Sequence, residues 1–332
     1  MKILKNIKKN TILLLIITII VLYVVLKDDL NDIVEAFKHI DIKYILVALI
    51  FYFFYIVSKG YVNYKITNDK KKLTLMEAIK HNMIAQFFNG ITPFSSGGQP
   101  MEIYMLTEHD ISVAKATSQT IQSFIFYQIA LVICGIFAVI YNFIFHIFPK
   151  VKLLQNLLII GFAINVAVAL GLVLISYSKT IANKISDITI KIAKRFKKNI
   201  NEEEIRAKFN DFHECGKSLR KRKNLYIMGI ILNVVSLLCL YSIPLFVLYS
   251  MGDFNSLSMV DTLTSSAYVY VIGAFVPIPG ASGGIEYGFT QFFGNFISLS
   301  KISAVLLLWR FITYYLGMII GGAMFSVEKK VK

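Results

Sequence analysis

Two short patterns of proline, serine and glycine mark the residues whose types and spacing could do chemistry. Pro93–Gly98 (PFSSGG) and Pro279–Gly284 (PGASGG) share the form P-x-x-S-G-G, lie 186 positions apart and interrupt strongly apolar sequence. Glycines let a ligand approach the backbone, and free N–H groups at the start of a helix attract an anion such as a lipid phosphate. Membrane helices also use small residues for close packing. The motifs alone leave both interpretations open.

Two charged residues are notable in the second part of the sequence. One lies close to the second motif, and the other lies in an apolar run. Glu286 follows this motif directly, and Arg310 stands inside the stretch LLLWRFITYY. Arginine in a spanning helix costs several kcal/mol unless it is paired or hydrated. We therefore predict that Arg310 faces the protein interior and meets a carboxylate, with Glu286 as first candidate and Glu102 as second. The pair is either purely structural or reads a lipid phosphate, with Glu286 balancing Arg310 in the empty site.

The sequence thus predicts a substrate-binding site and no catalytic one. The five histidines are isolated and lack metal-ligand spacing, and Ser95 and Ser96 have no evident base beside them, so we expect no metal, cofactor or nucleophile. The predicted site consists of the two motifs and the charged residues: Asn89, Thr92, Pro93, Ser95, Ser96, Gly97, Gly98, Glu102, Pro277, Pro279, Gly280, Ser282, Gly283, Gly284, Glu286 and Arg310.

The composition places these residues in a membrane. Of the 332 residues, 56% are hydrophobic and 17% charged, and the mean hydropathy is +0.63. A soluble domain of this length needs more polar surface, so we predict an all-α integral membrane protein, a polytopic helix bundle. The net charge of +15 comes from lysines between apolar runs, where the positive-inside rule accounts for them. A nucleic-acid partner is therefore not expected.

Eight apolar segments are visible in the chain. Two of them carry the motifs and are too rich in Gly, Pro and polar residues for plain lipid-facing helices: Ile79–Gly98 and Thr262–Ile285. The other six are predicted to span, as about 17–25 apolar residues cross a bilayer. They are Thr11–Leu26, Tyr44–Ser58, Thr117–Phe148, Leu153–Tyr177, Leu225–Tyr249 and Ile302–Phe325.

Charge asymmetry sets the predicted orientation. The two termini and the basic segments 58–80 and 179–223 are predicted inside, whereas 27–41 and 251–261 are predicted outside. These assignments agree only if each motif segment crosses an even number of times, as a re-entrant hairpin or a pair of short helices. One transmembrane domain (1–332) then contains two inverted halves, 1–148 and 153–332. Chance similarity between Gly- and Ile-rich segments is the alternative.

The basic segment 179–223 is predicted to be cytosolic and helical, and amphipathic in its first part. Ile181, Ile185, Ile188, Ile192 and Phe196 recur at helical spacing. Such a helix lies on anionic headgroups or only anchors the topology, and binding of tRNA is the third and least favoured alternative.

At the two motifs the chain resembles the lysylphosphatidylglycerol synthase transmembrane-region family, also called flippase-like or uncharacterised membrane protein 0104. The residues that carry the resemblance are Asn89–Glu102 (NGITPFSSGGQPME) and Pro277–Glu286 (PIPGASGGIE), and it covers nearly the whole chain. In a bacterial relative, the multiple peptide resistance factor, the membrane domain moves aminoacylated phosphatidylglycerol between leaflets. A separate C-terminal cytosolic domain makes that lipid from phosphatidylglycerol and lysyl-tRNA. Archaeal relatives are linked to polyprenyl-phosphate sugars.

The resemblance implies a flippase for an anionic or aminoacylated phospholipid, or for a polyprenyl-phosphate lipid, in a bacterial cytoplasmic membrane. The sequence ends at Lys332 without a synthase-like stretch, so we expect transport rather than lysyl transfer by this chain alone. Phosphatidylglycerol lysyltransferase activity with a partner synthase, and a non-transporting accessory role beside a glycosyltransferase, are the alternatives.

Overall fold

The computed structural model describes residues 38, 40–67, 72–147, 152–196, 200–274 and 276–331. The first predicted span, Thr11–Leu26, lies outside these ranges. Within them every regular element is a helix, which confirms the predicted all-α class. The helices before the basic segment are α1 (Ile42–Thr67), α2 (Leu75–Gly90), a 3-10 turn (Pro93–Ser95), α3 (Gly98–Thr107) and α4 (Val113–Phe145).

Three helices then separate the two motif regions: α5 (Lys152–Tyr177), α6 (Lys179–Phe196) and α7 (Glu202–Arg220). The second motif region contains α8 (Lys223–Ser250), α9 (Met259–Gly273), a 3-10 turn (Pro279–Ala281) and α10 (Gly284–Phe293). A C-terminal helix follows as α11 (Leu299–Arg310), a π-helical turn (Phe311–Tyr315) and α12 (Leu316–Val331). The segment 179–223 is helical as predicted; its position in the cytosol stays a prediction.

Five stretches in the described part of the chain are long and apolar enough to cross a membrane. They are Ile42–Thr67, Val113–Phe145, Leu154–Tyr177, Lys223–Ser250 and Lys301–Val327, so the protein is a multi-pass membrane protein. Each overlaps a predicted span. One boundary is corrected: α1 continues for more than two turns beyond Ser58, to Thr67. Lys59, which the charge pattern places in a loop, therefore lies inside a spanning helix.

Within the described residues, the elements around the first motif recur around the second. The first 3-10 turn, α3 and α4 recur 186 positions later as the second 3-10 turn, as α10 and as the C-terminal helix Leu299–Val331. The equivalent helices α1 and α8 pack side by side and antiparallel. At one end Asp41 donates its N–H to the Ser250 carbonyl (2.8 Å), and at the other Arg222 Nη2 donates to the Lys65 carbonyl (2.8 Å). Equivalent helices that run in opposite directions are the arrangement expected of an inverted repeat, and the division into two inverted halves stays a prediction.

Each motif forms the tip of a helical hairpin. In the first hairpin, α2 has 16 residues and α3 has 10, so they measure about 24 and 15 Å at 1.5 Å per residue. Neither reaches across a hydrocarbon core of about 30 Å. In the second hairpin the rings of Tyr268 on α9 and Phe292 on α10 lie 5.3 Å apart, as antiparallel neighbours. The two 3-10 turns contact each other, so the hairpins meet tip to tip between the halves.

Candidate functional site

The sequence of the first tip explains its turn. Pro93 begins the 3-10 turn with its fixed φ, and Phe94 and Ser95 take left-handed φ values of 54° and 51°. The two glycine N–H groups that follow are already bonded. Gly97 donates to Thr92 Oγ1 and Gly98 donates to Asn89 Oδ1, both at 2.8 Å. The free N–H groups that the motif predicts at this helix start are therefore occupied by neighbouring side chains.

The second tip is held by the predicted ion pair. Arg310 Nε donates to Glu286 Oε1 at 2.8 Å. Nη2 lies 2.8 Å from the same oxygen and donates to the Gly280 carbonyl at 2.9 Å. Glu286 Oε2 accepts the N–H of Gly283 at 2.7 Å. The two side chains are 1% and 3% exposed. The pair thus fixes the turn of the motif onto the C-terminal helix, and the alternative partner Glu102 is not bonded to Arg310.

Arg310 also connects the two hairpins through Tyr314. Its guanidinium carbon lies 4.6 Å from the Tyr314 ring centroid, and the Tyr314 hydroxyl donates to the Gly90 carbonyl of the first hairpin at 3.0 Å. The π-helical turn begins one residue after Arg310. Such turns are common at functional sites, and this one carries Tyr314 to its position between the tips.

A cavity of about 430 Å³ lies between the halves. It is lined from both tips and from α1, α4, α5, α8, α9 and the C-terminal helix. The predicted site residues that line it are Asn89, Ser95, Gly98, Glu102, Gly280 and Arg310. The remaining ones belong to the tips without lining it: Thr92, Pro93, Ser96, Gly97, Pro277, Pro279, Ser282, Gly283, Gly284 and Glu286. Their role in binding a substrate stays a prediction.

One N–H pair of Arg310 remains available to this cavity. Its Nε and Nη2 groups are engaged as described, whereas Nη1 makes no hydrogen bond with any residue that the structure describes. A guanidinium carries five donors, so two of them are left beside the cavity wall.

Lys59 is the cavity residue that the sequence analysis missed. The half-buried Lys59 Nζ lies 3.4 Å from the Tyr55 hydroxyl and 4.7 Å from the Tyr127 ring centroid. No carboxylate of the described chain lies within 4.0 Å of it, so its closest contacts are a hydroxyl and ring faces. Because Lys59 directly follows an apolar run, it looks like a topology marker. Tyr55 lies one helical turn before Lys59 on the same helix, whereas Tyr127 is distant in sequence and gave no signal.

Glu102 lines the cavity, whereas Glu286 does not. Glu102 is two positions out of register with the second motif, because an offset of 186 places it on Gly288 rather than on Glu286. Glu102 lines the cavity together with Lys59. The first half therefore contributes a separate lysine and carboxylate, whereas the second half contributes a bonded pair.

The comparisons with known proteins agree with this architecture. Residues 11–321 match the family model described as lysylphosphatidylglycerol synthase TM region. The chain is also similar to a UPF0104 membrane protein of Archaeoglobus fulgidus, with 21% identity over 263 residues that make up 75% of each chain. Because this family model matches nearly its whole length, the all-helical, multi-pass protein belongs to the lysylphosphatidylglycerol synthase transmembrane-region family.

Proposed function

We propose that this protein moves a lipid with an anionic phosphate headgroup between the leaflets of a bacterial cytoplasmic membrane, with both termini in the cytoplasm. The observation that carries the proposal is the cavity between the inverted halves, which presents two cationic groups with free donors. They are the Lys59 ammonium from the first half and Nη1 of Arg310 from the second half. Intramembrane ionisable residues that face a cavity mark substrate pathways.

The energetics favour a phosphate over a neutral headgroup. A half-buried ammonium without a carboxylate partner is costly in a region of low dielectric. A phosphate oxygen would supply the missing charge, and charge-assisted hydrogen bonds to phosphate are roughly twice as strong as neutral ones. Phosphatidylglycerol, its lysyl form and a polyprenyl phosphate share this group. The family description supports lysyl-phosphatidylglycerol, whose export would lower outer-surface negative charge and weaken attraction of cationic antimicrobial peptides.

The inverted halves provide the means of movement. Transporters of this architecture expose a central site alternately by moving one half against the other. Here the tips are joined by the hydrogen bond from Tyr314 to Gly90, so access to the cavity changes when that contact and the packing of the two 3-10 turns change. A separate synthase or glycosyltransferase would act as partner by supplying the lipid.

A leaflet-accessibility assay in proteoliposomes tests the proposal. The probes are headgroup-labelled phosphatidylglycerol, lysyl-phosphatidylglycerol and a polyprenyl phosphate, and the decisive variant is Lys59→Gln. We expect movement of at least one probe, and its loss in Lys59→Gln. The matched control is Lys65→Gln, because Lys65 lies on the same helix beside Tyr61 and does not line the cavity.

Equal rates in Lys59→Gln and wild type would refute the role of Lys59. Absence of movement for every probe would refute transport of these lipids. Transfer of lysine by the purified protein from lysyl-tRNA to phosphatidylglycerol would instead establish the transferase alternative. Lipid binding without any change in leaflet asymmetry would establish the accessory alternative.

A further inference from the structure

A second, smaller chamber adjoins the main cavity at Glu102. Its volume is about 20 Å³, and Glu102 and Thr120 line both spaces. A cavity needs about 10–15 Å³ in this measure to hold one water molecule. The chamber therefore has room for roughly one water between Glu102 and the groups on its far side.

The lining of the chamber contains buried polar atoms that could bind a polar molecule. Gln119 and Thr120 are each 6% exposed. Within the described chain, neither Gln119 Oε1 nor Thr120 Oγ1 has a hydrogen-bond partner. Leaving such atoms buried and unpaired costs about 1–3 kcal/mol each, and water in the chamber, which both residues line, would lower that cost. Two independent observations, the volume and the orphaned atoms, thus indicate a hydrated chamber.

On the far side the chamber leads to a pair of histidines near the open end of the first hairpin. His81 lines the chamber, and its ring centroid lies 5.1 Å from that of the half-buried His109. His109 follows the end of α3. Glu77, in the first turn of α2, is fixed there by the N–H of Thr74 at 2.7 Å. Each imidazole has two ring nitrogens, one of which can accept a proton while the other donates one, so this pair offers a route for a proton from the surface to the chamber.

Several charged and titratable groups line the chamber or the main cavity, both of which Glu102 also lines. Lys59 is close enough for its charge to interact with that of the Glu102 carboxylate. In the described part of the chain the full set is His81 in the chamber and, in the main cavity, Lys59, Arg310, Tyr55, Tyr127, Tyr241, Tyr270 and Tyr314.

We propose that Glu102 exchanges a proton with one membrane surface through this chamber, and that this exchange drives lipid movement through the main cavity. The inference rests on the proposed function, to which it adds an energy source. The carboxylate takes a proton from the chamber water, which is restored by a proton from the His81 imidazolium, so no water is consumed. Protonation of Glu102 frees the charge of Lys59 for the lipid phosphate. Loss of the proton restores the Lys59–Glu102 attraction and favours release.

The test uses full-length protein in vesicles that contain a trapped pH-sensitive dye and headgroup-labelled phosphatidylglycerol as probe. We expect an imposed pH gradient to change the rate of lipid movement in wild type, and the ionophore nigericin to abolish that change. Glu102→Gln should lose the gradient dependence completely. Thr120→Val, which removes only the orphaned hydroxyl, should weaken it. Glu108→Gln, at the exposed end of α3, is the matched control and should keep it in full.

The outcomes separate this inference from the proposed function. If wild type moves the lipid at one rate with and without a gradient, proton coupling is wrong and transport stands. If the labelled lipid does not move in any vesicle, the trapped dye is used to measure proton flux while a potassium diffusion potential drives protons inward. Greater proton flux in wild type than in Glu102→Gln then supports the proton route, and equal flux overturns it.

Discussion

Glu286→Gln removes one charge from the buried ion pair and keeps its shape. The Arg310 guanidinium, 3% exposed, would lose its counter-charge, while the amide oxygen can still accept the Gly283 N–H. Breaking a buried pair by removing one partner costs about 3–5 kcal/mol. We therefore expect Glu286→Gln to lower the free energy of unfolding by about 3 kcal/mol, and Glu286→Ala by about 1 kcal/mol more because Gly283 loses its acceptor.

A double-mutant cycle isolates the pair. Arg310→Met alone should be as costly as Glu286→Gln, whereas the double variant removes both charges together. The coupling free energy should therefore be about 2–3 kcal/mol. The measurement is unfolding of the purified protein in mixed micelles with increasing dodecyl sulfate.

A more exposed ion pair of this half, Lys301 with Asp253 at 3.4 Å, serves as the control cycle. Its side chains are 34% and 14% exposed, and partly exposed pairs couple by about 0.2–1 kcal/mol. If the Glu286–Arg310 coupling is no larger than that of the control, the pair does not hold the second tip on the C-terminal helix.

Two further predictions concern the packing of the hairpins. Tyr314→Phe should lower stability by about 1 kcal/mol, because the Gly90 carbonyl loses its donor; unchanged stability in the same unfolding assay would show that this bond between the tips is dispensable. Gly321→Ala should cost about 1–3 kcal/mol, since the added Cβ would meet the Met83 carbonyl of α2. Gly171→Ala on α5 meets nothing within 4 Å among the described residues and should be neutral or stabilising by up to about 1 kcal/mol; equal losses at both glycines would contradict the packing argument.

Much of the fold was predictable because two features of the sequence, the spacing of the motifs and the charges that flank them, indicate the same repeat. The spacing of 186 positions between the motifs predicts a repeat, and the signs of the flanking charges predict that its halves are inverted. The element boundaries in the structure follow the same spacing. The Glu286–Arg310 pair was predictable because a lone arginine in an apolar helix needs a carboxylate. These predictions rest on local composition or on physical necessity.

The polar walls of the cavity were not predictable in the same way. Lys59 directly follows an apolar run, and nothing in the sequence shows that α1 continues to Thr67 or that Tyr127 meets the ammonium. The role of Gln119 and Thr120 depends on their being buried without partners, which only packing decides. Contacts between residues far apart in sequence leave no pattern in a single chain.

The π-helical turn makes the two halves locally different. Residues 125–129 of α4 occupy the same repeat positions as Phe311–Tyr315, yet they form regular α-helix. In an inverted repeat, the state that opens to the opposite side arises when the halves exchange conformations. In the state that opens to the opposite side, we therefore expect the π-helical turn at residues 125–129 and regular α-helix at Phe311–Tyr315. Such rewinding would rotate Tyr314 about the helix axis and separate it from Gly90. A single helical turn, alternating between two equivalent helices, would thereby set the side to which the cavity opens.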